Sequence, residues 1–332
     1  MFKTVLKQLS PAGERGRLSI LIFHRVLPER DPIFPGEVDA ARFEAICRWM
    51  KSWFNVLPLE QAVQRLRERS LPSRAAAITF DDGYADNRTV AQPILARHGL
   101  PATFFIATDF LDGGRMWNDT VIESVRHCTA AELDLTSLVK RDGSGDLGRH
   151  ALGSPEARRQ AIEAIIGQIK YLPVPERHKL TEKIALCAEV KPSDALMMTS
   201  QQVREMRDAG MQIGAHTRSH PILAKLDTDA AYAEIGQSQR FLEAVLGQRV
   251  GLFAYPNGKP GTDYIPESVR IVQDLGFDAA VSTTKGVADA STDLFQIPRF
   301  TPWDSTRLRF GARLADNLWR AGRAVPAGSA AA

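Results

Sequence analysis

Two pairs of residues in this sequence have the types and spacing for hydrolytic chemistry. Asp81 and Asp82 stand side by side between the apolar run Ala76-Ala77-Ile78-Thr79-Phe80 and Gly83-Tyr84. Adjacent like charges at the end of a buried strand cost free energy unless a cation or a shared proton compensates, so the pair points to a metal or a perturbed pKa. Taken alone, Asp82-Gly83 reads equally as a turn, with Asp81 capping the helix that follows. Far along the chain, His216 and His220 follow a second apolar run, Met211 to Ala215. Imidazoles at that spacing fall on one side of a helical turn and can grip one ion. With Asp82 they make a two-histidine, one-carboxylate set that suits zinc or another divalent transition metal and leaves positions open for water and substrate. Such an ion lowers the pKa of a water toward ~7 and polarises an amide carbonyl. Adjacent residues at an extended strand end do not easily share one ion, which leaves Asp81 free to take the water's proton.

Three ordered stretches carry a family resemblance. Thr79-Phe80-Asp81-Asp82-Gly83 resembles the first motif of the polysaccharide deacetylases, carbohydrate esterase family four. His216-Thr217-Arg218-Ser219-His220-Pro221 resembles their second motif, and Phe253-Ala254-Tyr255-Pro256-Asn257-Gly258 their third. The resemblance spans roughly residues 18 to 110 and 197 to 302 and implies an α/β fold, a distorted (β/α) barrel of about seven strands whose strand ends carry the site. It implies Asp81 as base, Asp82, His216 and His220 as metal ligands, and Thr217 as the residue steadying the histidine loop through a hydrogen bond. It also implies the backbone N–H of Asn257 as an oxyanion donor. The cofactor is then a divalent metal ion, Zn2+ first among them, and the substrate an N-acetylated glycan.

The chain departs from the family pattern twice. Ala254 stands where the family usually has an arginine that orients the base, and Arg299, ending a later strand of the same rim, is the candidate replacement. The late Leu-x-His motif, whose histidine protonates the leaving amine, has no match around Gln296-Ile297-Pro298-Arg299. His24, at the end of the first strand, is the candidate acid, although it reads equally as a structural histidine bonded to a loop carbonyl. The candidate catalytic residues are thus Asp81, His24 and Arg299. Tyr84, Trp117 and Tyr255 are candidate substrate contacts, because an aromatic face suits a sugar ring. A tryptophan at a helix start also reads as core.

These side chains need strands to carry them and helices between the strands. Leu18 to Phe23, Ala76 to Phe80, Pro101 to Ala107, Met211 to Ala215, Val250 to Ala254, Phe277 to Ser282 and Leu294 to Ile297 read as strands. Ala40 to Phe54, Leu59 to Arg69, Asn87 to His98, Thr228 to Leu246 and Pro266 to Leu275 have helical periodicity, with Gly99 and Gly247 as stops. This alternation is what a parallel barrel requires. Between the two barrel parts, 18–111 and 198–320, the stretch 112–197 has helix-like spacing at Thr120 to Cys128, Pro155 to Tyr171 and Pro175 to Val190. It reads as a helical insertion. Residues 1–17 form an N-terminal extension and 321–332 a flexible tail. Substrate choice is expected to reside in the insertion and in the loop from Pro28 to Glu37.

The bulk properties exclude several classes. A chain of 332 residues with 44% hydrophobic and 24% charged residues is of ordinary globular composition. A net charge of +3, without a basic run and interleaved aromatics, gives no footprint for nucleic acid. Cys47, Cys128 and Cys187 lack metal or redox spacing and read as reduced thiols. The amino terminus is too poor in apolar residues for a signal peptide or spanning helix, which sets the expected location as cytoplasmic. Phe2, Val5, Leu6 and Leu9 share a helical face near Lys3 and Lys7, which permits weak docking at the inner face of a membrane but more simply packs on the protein's own body. Function is therefore expected to be N-deacetylation of an amino sugar in a poly- or oligosaccharide or lipid-linked glycan of surface polysaccharide biosynthesis. The alternatives are a catalytically weak glycan-binding protein retaining the metal site, and hydrolysis of an O-acetyl ester or a non-glycan amide.

Overall fold

The computed structural model describes residues 2–138, 145–301 and 304–321. The expected tail lies outside the described residues beyond Ala321. The chain runs from α1 (Phe2–Leu9) into β1 (Leu18–Phe23), α2 (Ala40–Trp53), β2 (Asn55–Val56), α3 (Leu59–Arg67), β3 (Ala75–Phe80), α4 (Gln92–His98) and β4 (Thr103–Ile106). Next come α5 (Trp117–His127), β5 (Glu132–Asp134), β6 (Arg149–Ala151), α6 (Pro155–Ile169) and α7 (Val174–Cys187). The last part comprises α8 (Ser200–Asp208), β7 (Gln212–Ala215), α9 (Thr228–Leu246), β8 (Leu252–Ala254), α10 (Pro266–Asp274), β9 (Ala279–Lys285), β10 (Ile297–Arg299) and α11 (Arg307–Ala321).

Seven strands pair in parallel in the order β1-β3-β4-β7-β8-β9-β10, and β2 adds to the start of β3. Phe300, one residue past β10, returns to β1: its N–H donates to Ile20 O at 2.7 Å and its carbonyl accepts from Ile22 N–H at 3.1 Å. The sheet is thereby nearly closed into a distorted (β/α) barrel. Because side chains alternate along a strand, each strand feeds two cores. Leu18 and Ile20 of β1, Ala75 and Ala77 of β3, Leu252 and Ala254 of β8, and Ile297 of β10 enter one cluster. Their neighbours Leu21, Phe23, Ala76, Ile78, Phe80 and Phe253 enter the other, together with buried residues of α2, α4, α8 and α9. Asp81 continues the phase of Ala75, Ala77 and Thr79, and Arg299 that of Ile297, so period-two alternation sends both charged side chains to the same face.

Contacts divide the chain into two compact units. Met1–Glu29, Val38–Leu111 and Met198–Ala332 form the first, and Arg30–Glu37 with Asp112–Met197 the second. The second has its own core of Val121, Val125, Ile162, Ile165, Ile169 and Ile184, and Ile33 of the segment after the first strand joins it. Asp31 ties that segment down by accepting from Arg126 at 2.7 Å. Although burial opposes it, the Arg126 contact holds the Asp31 carboxyl below its ordinary range.

Several elements differ from the pattern expected of the sequence. The stretch before Gly99 is a wide π turn, Asn87–Ala91, followed by α4. Pro93 has no N–H for the preceding turn, which opens the spacing there. The last strand runs through Pro298 to Arg299, with a register irregularity between Ile297 and Arg299 where proline donates no ladder bond. The insertion contains an antiparallel pair, β5–β6, despite its few strand signals. The helix α8, with a Thr199/Gln202 capping box, and the amphipathic α11 were not anticipated. α1 packs Leu6 into the barrel's core and Phe2 edge-on to Trp53 at 4.7 Å between centroids.

Candidate active site

Strand ends of the barrel bring the chemistry-bearing residues together. The β1–β3 ladder continues one step past β3, where Asp81 N–H donates to Phe23 O at 2.9 Å, so Asp81 is aimed by the sheet itself. Its carboxylate is buried, at 3% side-chain exposure, and Arg299 grips it with two bonds of 2.7 Å, Nη1 to Oδ1 and Nη2 to Oδ2. Arg299 is itself wholly buried and held by Nε donating to Ser282 O at 2.9 Å, with Nη1 also reaching Thr79 Oγ1 at 3.3 Å. A planar guanidinium matched to a carboxylate in a dry place is the strong form of this contact. Burial pushes the Asp81 carboxyl up, but the Arg299 charge, with His216 and His24, pulls it below the ordinary carboxylate range. The base candidate is therefore charged.

Asp82 turns the other way. Its φ of 76° is left-handed, a strained state for a non-glycine residue, and Gly83 follows at φ 93° where an added Cβ would lie 3.2 Å from the Ile106 side chain. Among the described residues Thr217, His220 and Asn257 are left-handed as well. Arg69, Arg74, Asp112 and Glu189, away from the site, share this conformation, so at Asp82, Thr217, His220 and Asn257 it marks where surrounding bonds over-determine the backbone.

The Nε2 atoms of His216 and His220 lie 3.4 and 3.5 Å from Asp82 Oδ1. Those separations are too long for good hydrogen bonds. They match the edge of a tetrahedron with metal–ligand bonds of about 2.0–2.1 Å, roughly 3.3 Å. Asp82 Oδ1 is buried without a hydrogen-bond partner, the orphan oxygen that a cation would satisfy. One ligand atom from each of Asp82, His216 and His220 lies within 4.8 Å of the others. His216 Nδ1–H donates to Ala254 O at 2.7 Å, which turns Nε2 toward Asp82 and fixes the ligating tautomer. Burial alone would lower His216, but contact with Asp82 and the charges of Asp81 and Asp82 raise it. Burial pushes His220 down to about 4, which leaves it a neutral ligand. The donor set and spacing fit a divalent ion such as zinc.

The histidine loop is held from outside by residues that the sequence motifs did not single out. Glu234 on α9 accepts from Arg218 N–H at 3.1 Å, Ser219 N–H at 2.9 Å and the Ser219 hydroxyl at 2.8 Å. Asp109 takes two bonds from Arg218, at 3.0 and 2.9 Å. Thr217 is buried, donates its hydroxyl to His216 O and accepts from His220 N–H at 3.2 Å. The only sequence signal for Glu234 was a charged position on an expected helix.

The remaining candidates fall into two groups. His24 follows β1, is exposed, and acts electrostatically on Asp81, Asp82 and His220. Asn257 is exposed on the turn after β8, and among the described residues no acceptor takes its N–H. The three aromatic candidates differ in exposure, Trp117 being half-buried and Tyr84 and Tyr255 buried. Tyr255 is fully buried, stacked on Tyr264 at 3.9 Å between centroids, with its hydroxyl donating to Phe295 O at 3.0 Å. Its position right after a core strand turned it inward. Tyr84 is 5% exposed, with the Arg25 guanidinium 4.7 Å above its ring. Trp117 packs against the insertion's own core, with Arg177 4.7 Å above its ring.

Comparison with known proteins follows the same lines. A family model described as polysaccharide deacetylase matches residues 68–280. YxkH of Bacillus subtilis (strain 168), a candidate polysaccharide deacetylase, is 20% identical over 285 residues, covering 85% of this chain and 70% of that protein. The Streptococcus pyogenes deacetylase PplD, solved in complex with acetate, superposes with a TM-score of 0.57 at 21% identity, over 86% of this chain and 92% of that one. IcaB from Ammonifex degensii gives 0.57 at 18% identity, over 93% and 98%. At these identities the solved structures speak for the shared fold.

Proposed function

The chain belongs to the polysaccharide deacetylase family, and from that premise we propose that it is a metal-dependent amidohydrolase removing N-acetyl groups from an amino sugar. The substrate class is a poly- or oligosaccharide or a lipid-linked glycan, in surface polysaccharide assembly. The observation that carries the reading is the juxtaposition of a buried, arginine-clamped Asp81 with the Asp82, His216 and His220 triad.

When bound by that triad, a divalent cation, for which zinc fits the donors, supplies Lewis acidity toward water and the acyl oxygen. Asp81 accepts the proton of the attacking water. Its two oxygens each spend one lone pair on Arg299 and keep another for that proton. Arg299 holds the carboxylate ionised and in one orientation. The Asn257 N–H donates to the acyl oxygen as negative charge builds on it, the kind of donor whose removal costs several kcal/mol of barrier. His24 gives a proton to the departing amine, which is a poor leaving group unless protonated.

The test is acetate release from a panel of N-acetylated glycans by zinc-loaded protein, by chelated protein, and after zinc is restored. Release that chelation abolishes and zinc restores is the expected result. Release only from O-acetyl esters would move the chemistry to an esterase. One tightly bound ion without release from any substrate would favour the glycan-binding reading.

A further inference from the structure

The loop bearing His24 is tied to the carboxylate motif by two side chains that the mechanism above does not use. Asp86 and Asn87 lie just beyond Asp81-Asp82 in the chain, and both are buried, at 7% and 0% exposure. Asp86 Oδ2 accepts from Arg25 Nε at 2.7 Å and Oδ1 from Val26 N–H at 3.1 Å. Asn87 Nδ2 donates to the backbone carbonyl of His24 at 2.9 Å and to Asp86 Oδ1 at 3.3 Å. On the strand side, Phe23 O accepts from Asp81 N–H at 2.9 Å. The backbone on either side of His24 is thus bonded to the segment carrying the base and the metal carboxylate.

No hydrogen bond to the His24 ring itself is found among the described residues, and its side chain is exposed. What the structure fixes at this position is the backbone from which the imidazole springs, through Asp86 and Asn87. Arg25, which pairs with Asp86, also covers the Tyr84 ring, so the three residues following β1 are linked to Tyr84, Asp86 and Asn87 among the five following Asp82. We propose that Asp86 and Asn87 are positioning residues for proton delivery, holding the His24 turn in register with Asp81 and Asp82. This deepens the function proposed above and rests on His24 being the acid.

A positioning role of this kind differs from simple support of the fold in its dependence on the leaving group. An amine must be protonated to leave, whereas 4-nitrophenolate leaves as a stable anion. Zinc-loaded wild type, His24→Gln, Asp86→Asn and Asn87→Ser are compared on the best N-acetylated glycan of the panel and on 4-nitrophenyl acetate, with bound zinc and thermal melting recorded. Asn87→Ser is the milder change and keeps the test sound if Asp86→Asn folds poorly. The expected result for both Asp86→Asn and Asn87→Ser is a fall in kcat on the glycan of about 10-fold or more, in the direction of His24→Gln, with KM, zinc content and ester hydrolysis within about twofold of wild type. If His24→Gln falls but the two variants match wild type, or lose ester and amide hydrolysis alike, or lose zinc, the positioning role is wrong while the acid assignment stands. If His24→Gln keeps its full rate on the glycan, the acid assignment is wrong and the positioning role goes with it.

Discussion

The two halves of the candidate site are built by opposite means. The base half is part of the sheet: Asp81 extends the β1–β3 ladder, and Arg299 meets it from β10 in a contact with almost no exposure on either side. The histidine half is a loop containing left-handed Thr217 and His220, fastened by Glu234 and Asp109 through partly exposed groups. The difference follows from what each half must withstand. A carboxylate buried near other acids has to be kept charged whether or not substrate is present, so its partner must be permanent and dry. A loop that ligates an ion, as proposed for this one, gains bonds from that ion, so lighter fastening suffices to preset its geometry.

That contrast can be broken by substitution. The largest effect is expected of Arg299→Ala, which leaves a buried carboxylate unpaired at a cost of about 3–5 kcal/mol. Acetate release should fall on the order of 10²-fold or more while zinc stays bound, and Arg299→Lys should not restore it, because a point charge does not replace the fork. Kinetics, metal analysis and thermal melting check this together. A smaller and different effect is expected of Glu234→Gln: zinc affinity weakened about 10–100-fold, measured by competition with a chelator, and near-normal kcat once zinc is saturating. Equal damage to kcat at saturating zinc would show that the halves are not separately built. The smallest effect belongs to Tyr255→Phe, which removes one buried hydroxyl bond and should cost about 1 kcal/mol of stability with KM unchanged. A clear rise in KM would return Tyr255 to the substrate.

The legibility of these parts in the sequence follows the same division. The barrel could be read because apolar β-branched runs alternate with helical periodicity, and the helix Thr228–Leu246 with its Gly247 stop has the expected bounds. The grouping of Asp82, His216 and His220 as a candidate metal site was readable because they sit in compact motifs at the ends of such runs. Arg299 was reachable only by asking what replaces the arginine absent at Ala254, and its bond to Asp81 joins residues far apart in the chain. Glu234, Asp86 and Asn87 could not be seen. Their roles depend on which loop a helix or turn happens to face, and charged residues at such positions are usually solvated. Tyr255 is the opposite case. An aromatic within a functional motif resembles a ligand contact until the packing of β8 turns it into the core.

The central claim is that neighbouring aspartates have separate work, Asp82 on the metal and Asp81 on the proton. Zinc stoichiometry and acetate release of Asp81→Asn and Asp82→Asn, measured side by side, test it most directly. The account predicts that Asp81→Asn binds one zinc as wild type does and releases acetate on the order of 10²-fold more slowly or worse, whereas Asp82→Asn loses the zinc. An Asp81→Asn protein that no longer binds zinc, or an Asp82→Asn protein that keeps both zinc and activity, would contradict it.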